Sequence, residues 1–173
     1  MARGTTPGTA KSTSQRKVDA QRMRRVLSRL PAHGRTLLVD DNRFDLEIIR
    51  LKLGMVLGPG VEILTARSVA AAVDHFNRQH GRLDLLILNY RLAPDQTGLD
   101  LLGALQRCPH PHPAKTVLYS AKMEAKLAQD AAKAGFHAAV PADELDSMAA
   151  MTELVWRLVK PDIDWSASWR GLP

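Results

Sequence analysis

The sequence predicts an α/β protein, a doubly wound parallel sheet of five strands, and three observations predict it. Between residues 36 and 159, compact apolar runs alternate strictly with segments of helical period. The runs are continuously apolar rather than alternating with polar residues, as strands buried on both faces must be. Every two runs are separated by a helix-sized segment, the connection that parallel neighbours with right-handed crossovers require.

Residues 1–14 (MARGTTPGTAKSTS) precede this alternation, are rich in Gly, Ser, Thr and Pro, and read as a disordered lead-in. In residues 15–30, Met23, Val26, Leu27 and Leu30 recur at helical spacing among Arg22, Arg24, Arg25 and Arg29, which predicts a short basic amphipathic helix stopped by Pro31. The first 35 residues hold nine basic side chains and one acid, whereas the other 138 hold 15 basic and 17 acidic ones. The formal charge of +6 therefore describes a basic arm on a slightly acidic body.

In the body the predicted strands are 36–39 (TLLV), 61–66 (VEILTA), 83–88 (LDLLIL), 116–119 and 138–141, and the helices are 46–53, 68–79, 98–107, 122–134 and 144–159. The expected organisation is an arm over 1–34, one domain over 35–160 and a tail over 161–173. No apolar run approaches the ~20 residues of a membrane helix. The basic N-terminus has no apolar stretch behind it, and the single cysteine, Cys108, has no disulfide partner, so a reducing, cytoplasmic setting is expected.

Sites in such sheets lie at the carboxyl ends of the strands. There the first strand ends in Asp40-Asp41, the third in Asn89 and the fourth in Ser120, and Ala142 follows the fifth. Adjacent carboxylates attract a hard divalent cation. Asp41 could equally cap the first helix, and the pair alone does not decide between the two roles.

The segments LLVDDNRFDLEIIRLKL, LDLLILNYRLAPDQTGLDLL, TVLYSAK and AGFHAAVPADEL carry a larger pattern in their order and spacing. Together they resemble the receiver domain of bacterial two-component response regulators, over residues 35 to 159. The resemblance implies a flavodoxin-like sheet of strand order 2-1-3-4-5. It also implies a site in which two acids bind Mg²⁺, an aspartate on the third strand accepts a phosphoryl group from a histidine kinase, and a Ser or Thr after the fourth strand and a Lys after the fifth contact that group.

Matched position by position, Asp40 and Asp41 stand for the metal-binding acids and Ser120 for the hydroxyl. Asn89 occupies the phosphoacceptor position, Ala142 the lysine position and Ala139 the position of the aromatic switch residue on the fifth strand. A carboxylate can form an acyl phosphate and the neutral Asn89 amide cannot. Loss of the lysine also removes a cation that phosphotransfer uses. No cofactor is required on this reading, and Mg²⁺ binding at Asp40 and Asp41 is weak at most. Losing one acid and one lysine together leaves the pocket charge unchanged, so the substitutions form one coherent loss: a pseudo-receiver.

If the switch is lost, function falls to binding surfaces. The last helix has a core stripe through Leu145, Met148, Ala149, Thr152, Val155, Trp156 and Val159. A second row, Met151, Leu154 and Leu158, is either a partner surface, for a homodimer among others, or part of one wide buried face. Trp165 and Trp169 in the tail either pack back or anchor a partner. Cys108, His110 and His112 in CPHPHP read as a stiff loop rather than a metal site.

The expected function is a non-enzymatic, response-regulator-like signalling protein. It acts through protein–protein interaction with a histidine kinase or a downstream regulator and does not depend on phosphorylation. The alternatives are a nucleic-acid-associated regulator that uses its basic arm, for which no interleaved aromatics speak, and a conventional phosphorylated receiver with a non-standard acceptor.

Overall fold

A computed structural model describes residues 34–159, which fall within one unit of the chain, Pro31–Pro173. The basic arm with its expected helix and the tail with Trp165 and Trp169 lie outside the described residues. Five parallel strands form the main sheet: β1 (Gly34–Val39), β2 (Val61–Ala66), β3 (Leu85–Asn89), β6 (Lys115–Ser120) and β7 (Ala138–Pro141). Their order is β2-β1-β3-β6-β7, which is 2-1-3-4-5 when only these strands are counted. The predicted class and topology are therefore those of the protein.

A two-stranded antiparallel hairpin, β4 (Arg91–Ala93) with β5 (Gln96–Thr97), is added between β3 and the third helix. The sequence reading missed it, because strands of two and three residues carry no readable period. The helices are α1 (Arg43–Leu57), α2 (Val69–Arg78), α3 (Gly98–Gln106), α4 (Ala125–Ala134), α5 (Ala142–Asp146) and α6 (Met148–Val159). The expected final helix 144–159 is thus two helices. Ser147 between them is extended, with ψ 123°, and its hydroxyl and carbonyl accept from the Ala150 and Met151 N–H groups to cap α6.

The three central strands, β1, β3 and β6, bury both faces. Leu37, Val39, Leu86, Leu88 and Leu118 pack with Ala72, Phe76, Leu101 and Leu105 into one core on the side of α2, α3 and α4. Leu38, Ile87 and Val117, of opposite parity along their strands, are buried on the other face, the side of α1 and α6. The expected partner surface on the last helix does not exist as one: Met151, Leu154 and Leu158 are buried, together with Thr152, Val155 and Trp156. Both rows belong to one wide buried face, while Met148 and Ala149, expected in the core, are exposed. Apolar residues nearly all round the helix are the mark of one enclosed on several sides.

Gly98 fixes the approach to the site. A Cβ there would stand 2.7 Å from the Asn89 carbonyl oxygen and 2.7 Å from Leu118 Cδ1. Only a glycine lets the start of α3 lie this close to the end of β3. Thr97 caps that start reciprocally: its hydroxyl accepts from the Asp100 N–H at 3.2 Å, and the Asp100 carboxylate accepts from the Thr97 N–H at 2.9 Å. The Thr97 hydroxyl also donates to that carboxylate at 2.7 Å, and this bond, followed by the one from the Thr97 backbone N–H, holds the Asp100 carboxyl below the usual carboxylate range.

Candidate functional site

At the carboxyl ends of β1, β3 and β6 lies a cleft of about 730 Å³ lined by Asp41, Asn89, Tyr90, Ser120, Lys122 and Lys126, among others. Asp40, Asn89 and Tyr119 meet beneath it. The register explains the meeting: β1 and β6 flank β3 on either side, and Asn89 stands opposite Tyr119. Asp40, the residue just past β1, is almost fully buried.

Both carboxylate oxygens of Asp40 are engaged by protein donors. Oδ1 accepts from the Asn42 backbone N–H at 2.9 Å and from Asn89 Nδ2 at 3.2 Å. Oδ2 accepts from the Tyr119 hydroxyl. Desolvation raises the Asp40 pKa above the usual carboxylate value, and the bonds from Tyr119, Asn42 and Asn89 only partly oppose it. Burial, and then the Asp40 charge, push the Tyr119 phenol far above its ordinary value, so it stays protonated and acts as donor.

The two adjacent acids therefore have different roles. Asp41 is exposed and lines the cleft. It does not cap the first helix; the cap is Asn42, whose side-chain oxygen accepts from the Phe44 N–H at 2.9 Å. Asn42 also donates from its amide nitrogen to Asp45 at 2.8 Å. Arg67 reaches the Asp41 carbonyl at 3.1 Å and leaves its carboxylate to the cleft.

Ser120 lines the cleft, with its hydroxyl turned into the following loop, where it accepts from the Lys122 N–H at 3.3 Å. Lys122 and Lys126 bring cations to the rim, each within 2.8 Å of an acid, Glu124 and Asp130 respectively. Ala142 opens α5 and does not line the cleft. Ala139 stands opposite Leu118 and packs, partly buried, against the main core.

A divalent cation needs several free oxygen ligands at one point. This donor set does not fit one as arranged. The Asp40 oxygens already hold three protein donors, and Asn89 turns its amide nitrogen toward them. Among the described residues no three His, Cys, Asp or Glu side chains converge to hold a metal. A weak Mg²⁺ site made by Asp40 and Asp41 together is therefore not the geometry present. In the CPHPHP loop, His110 packs edge-on against Phe76 and His80, with ring centroids 6.0 and 5.8 Å away.

Two features escaped the sequence reading. Tyr119 looked like one more apolar strand residue. A tyrosine inside a buried strand nevertheless needs a partner for its hydroxyl, and the acid at a neighbouring strand tip is the natural one. The second is on α1, where Phe44, Ile48, Leu51 and Met55 are exposed on one face while Leu46, Ile49, Leu53 and Val56 are buried on the other.

No protein-family model matches the chain, and no curated protein does. Solved structures do. A response regulator receiver domain protein from Clostridium thermocellum superposes with a TM-score of 0.62 at 19% identity, over 75% of this chain and 96% of that one. The fold is the receiver fold. A response regulator from Thermotoga maritima (TM-score 0.60, 17% identity, 74% of this chain and 98% of that one) shares it. So does a CheY-like receiver domain protein from Methanospirillum hungatei (TM-score 0.59, 17% identity, 75% and 95%). Identities this low carry the fold and not the chemistry. Among the described residues no helix is long and apolar enough to cross a membrane.

Proposed function

We propose that the chain is a receiver-like signalling protein that works by binding other proteins, and that its pocket takes no phosphoryl group. One observation carries the reading: the acceptor position holds Asn89, whose amide donates to Asp40 at 3.2 Å. An amide so placed offers no anionic oxygen for an acyl phosphate. Asp40, whose charge a cation would otherwise claim, is already bonded to Asn42, Asn89 and Tyr119. Ala142 at the lysine position supports the same reading, since a phosphoryl group held there would lack one counter-charge. A non-enzymatic role for the chain is part of this proposal, with a histidine kinase or a downstream regulator as the class of partner.

The test is titration with beryllofluoride and Mg²⁺, a phosphoryl mimic, followed by amide NMR. The expected outcome is no shift at Asp41, Asn89 or Ser120 in the native chain. A response is expected in a variant combining Asn89→Asp, Ala142→Lys and Tyr119→Phe, the last of which frees Asp40 Oδ2. A saturable native response at these three residues overturns the proposal.

A further inference from the structure

A helix on the rim of a sheet normally shows one apolar face, to the core, and one polar face, to water. The helix α1 departs from this. Its core face is made by Leu46, Ile49, Leu53 and Val56, all buried. Phe44, Ile48, Leu51 and Met55 are 79%, 46%, 51% and 67% exposed and lie on the side away from the core. Single exposed apolar residues need no explanation, but four large ones in one row along a helix mark an interaction surface.

We propose that the occupant of this face is a second copy of the chain, with the two α1 helices packed antiparallel about a two-fold axis. The spacing of the row is four, three and four residues, which is two heptads of a helix–helix seam. With Ile48 and Leu51 at the axis, Phe44 of each copy falls beside Met55 of the other. The flanks decide in favour of self-pairing. Asp45 and Lys52 lie on one side of the row, and Glu47 and Gly54 lie on the other. In an antiparallel pair like flanks meet, so Asp45 of each copy approaches Lys52 of the other, twice by symmetry. On the other flank Glu47 meets Gly54, and no like charges are forced together.

Lys52 can serve this contact without losing its own. Its ammonium donates to the Asp146 carbonyl at 2.9 Å and the Asp146 carboxylate at 3.1 Å, and a third N–H remains. Met148, two residues beyond Asp146, is also exposed, at 37%. A standard interface buries roughly 800 Å² a side, more than one such seam supplies, so the dimer is reversible with a Kd on the order of 10–100 µM. The apolar row does not depend on the state of the pocket, since α1 turns these four side chains away from the sheet, whereas Asp45 on its flank also lines the cleft.

Sedimentation velocity on the full chain, from about 5 to about 500 µM, tests it across the expected Kd. The expected result is a weight-average mass rising from the monomer's 19.0 kDa toward twice that value. Ile48→Asp with Leu51→Asp holds the chain monomeric throughout, with a cooperative thermal melt retained at a lower midpoint, since each side chain is about half buried in the monomer. Asp45→Lys alone weakens association at least about threefold, and adding Lys52→Asp restores it by reversing both charges. A native chain that stays monomeric over the whole range overturns the proposal and leaves the row to another occupant, a different protein or a segment of this chain outside the described residues. Self-association that the Ile48 and Leu51 changes do not alter overturns it equally, and a charge swap that weakens association without recovery overturns the antiparallel register.

Discussion

The cleft at the strand ends and the outer face of α1 invert the usual division of labour in this fold. At the cleft, where chemistry needs open charged groups, Asp40 is buried and bonded to Asn42, Asn89 and Tyr119. On the outer face of a surface helix, where water favours polar side chains, Phe44, Ile48, Leu51 and Met55 are exposed. In the first region the buried acid is closed upon its own protein donors while Asp41 stays open to the cleft; the second region is apolar and open. The difference teaches where each region's residues act. Those of the cleft contribute to the folded state of the monomer. Those of the helix face contribute little to it and are available to another molecule.

The sharpest way to break that contrast is at Tyr119. Tyr119→Phe removes the donor to Asp40 Oδ2 and leaves a buried carboxylate oxygen without it. A buried acceptor deprived of its partner costs about 1–3 kcal/mol, so urea unfolding at neutral pH should show a loss in that range. The bond from Tyr119 lowers the Asp40 pKa, so the variant's Asp40 titrates higher still, which carboxyl NMR can follow. A variant as stable as the native chain would mean that the Asp40 network is open to water and that the contrast fails.

How much of this was legible in the sequence follows from which interactions are local. The strands are compact apolar runs, and burial on both faces of the central three leaves little choice for such segments, so the parallel sheet was readable, while its order came from the resemblance to receiver domains. Asn89 could be placed because the run before it, Leu85–Leu88, fixes its position at the strand tip. The Tyr119–Asp40 bond joins residues 79 apart, and no local pattern reports it, although the need of a buried phenol for a partner was a usable signal. The Ser147 break in the last helix had a local signal too, a capping residue three before Ala150, hidden by apolar spacing that ran on across it. The two helices with double apolar rows show the limit. On α6 both rows are buried from Met151 to Leu158, and on α1 one is buried and one exposed. Periodicity finds the rows in each case, but only the packing of neighbouring elements says which of them is covered.

A smaller effect of opposite sign is expected at Asp40 itself. Desolvation raises its folded pKa above the unfolded value, so the folded state holds the proton more readily. The stability linked to this group is therefore fullest below the unfolded pKa and is lost as pH rises through the folded one. Asp40→Asn removes the buried charge and keeps two of the three bonds, the amide oxygen accepting from Asn42 and Asn89. The Tyr119 bond reverses, and the loss of the phenol proton's acceptor offsets part of the gain. A gain of about 1 kcal/mol is expected at neutral pH, shrinking as the pH falls through the titration of the native acid. Denaturant midpoints at several pH values check it. An advantage that does not shrink on acidification would show that the charge is not the cause.

The smallest expected effect lies on the helix face, and its smallness is what sharpens the contrast. Phe44 is 79% exposed, so the monomer buries little of it on folding and loses little when it is replaced. Phe44→Glu also places a carboxylate in the first turn of α1, where the aligned backbone N–H groups favour negative charge. The two contributions nearly cancel, and a stability change within about 0.5 kcal/mol is expected from dilute unfolding measurements. A loss well beyond that would place the side chain in the fold of the monomer, and with it the row that Phe44 begins. The same substitution measured at high concentration separates the two roles of the surface, because a residue that serves only association leaves the unfolding midpoint of the dilute chain unmoved while abolishing its rise with protein concentration.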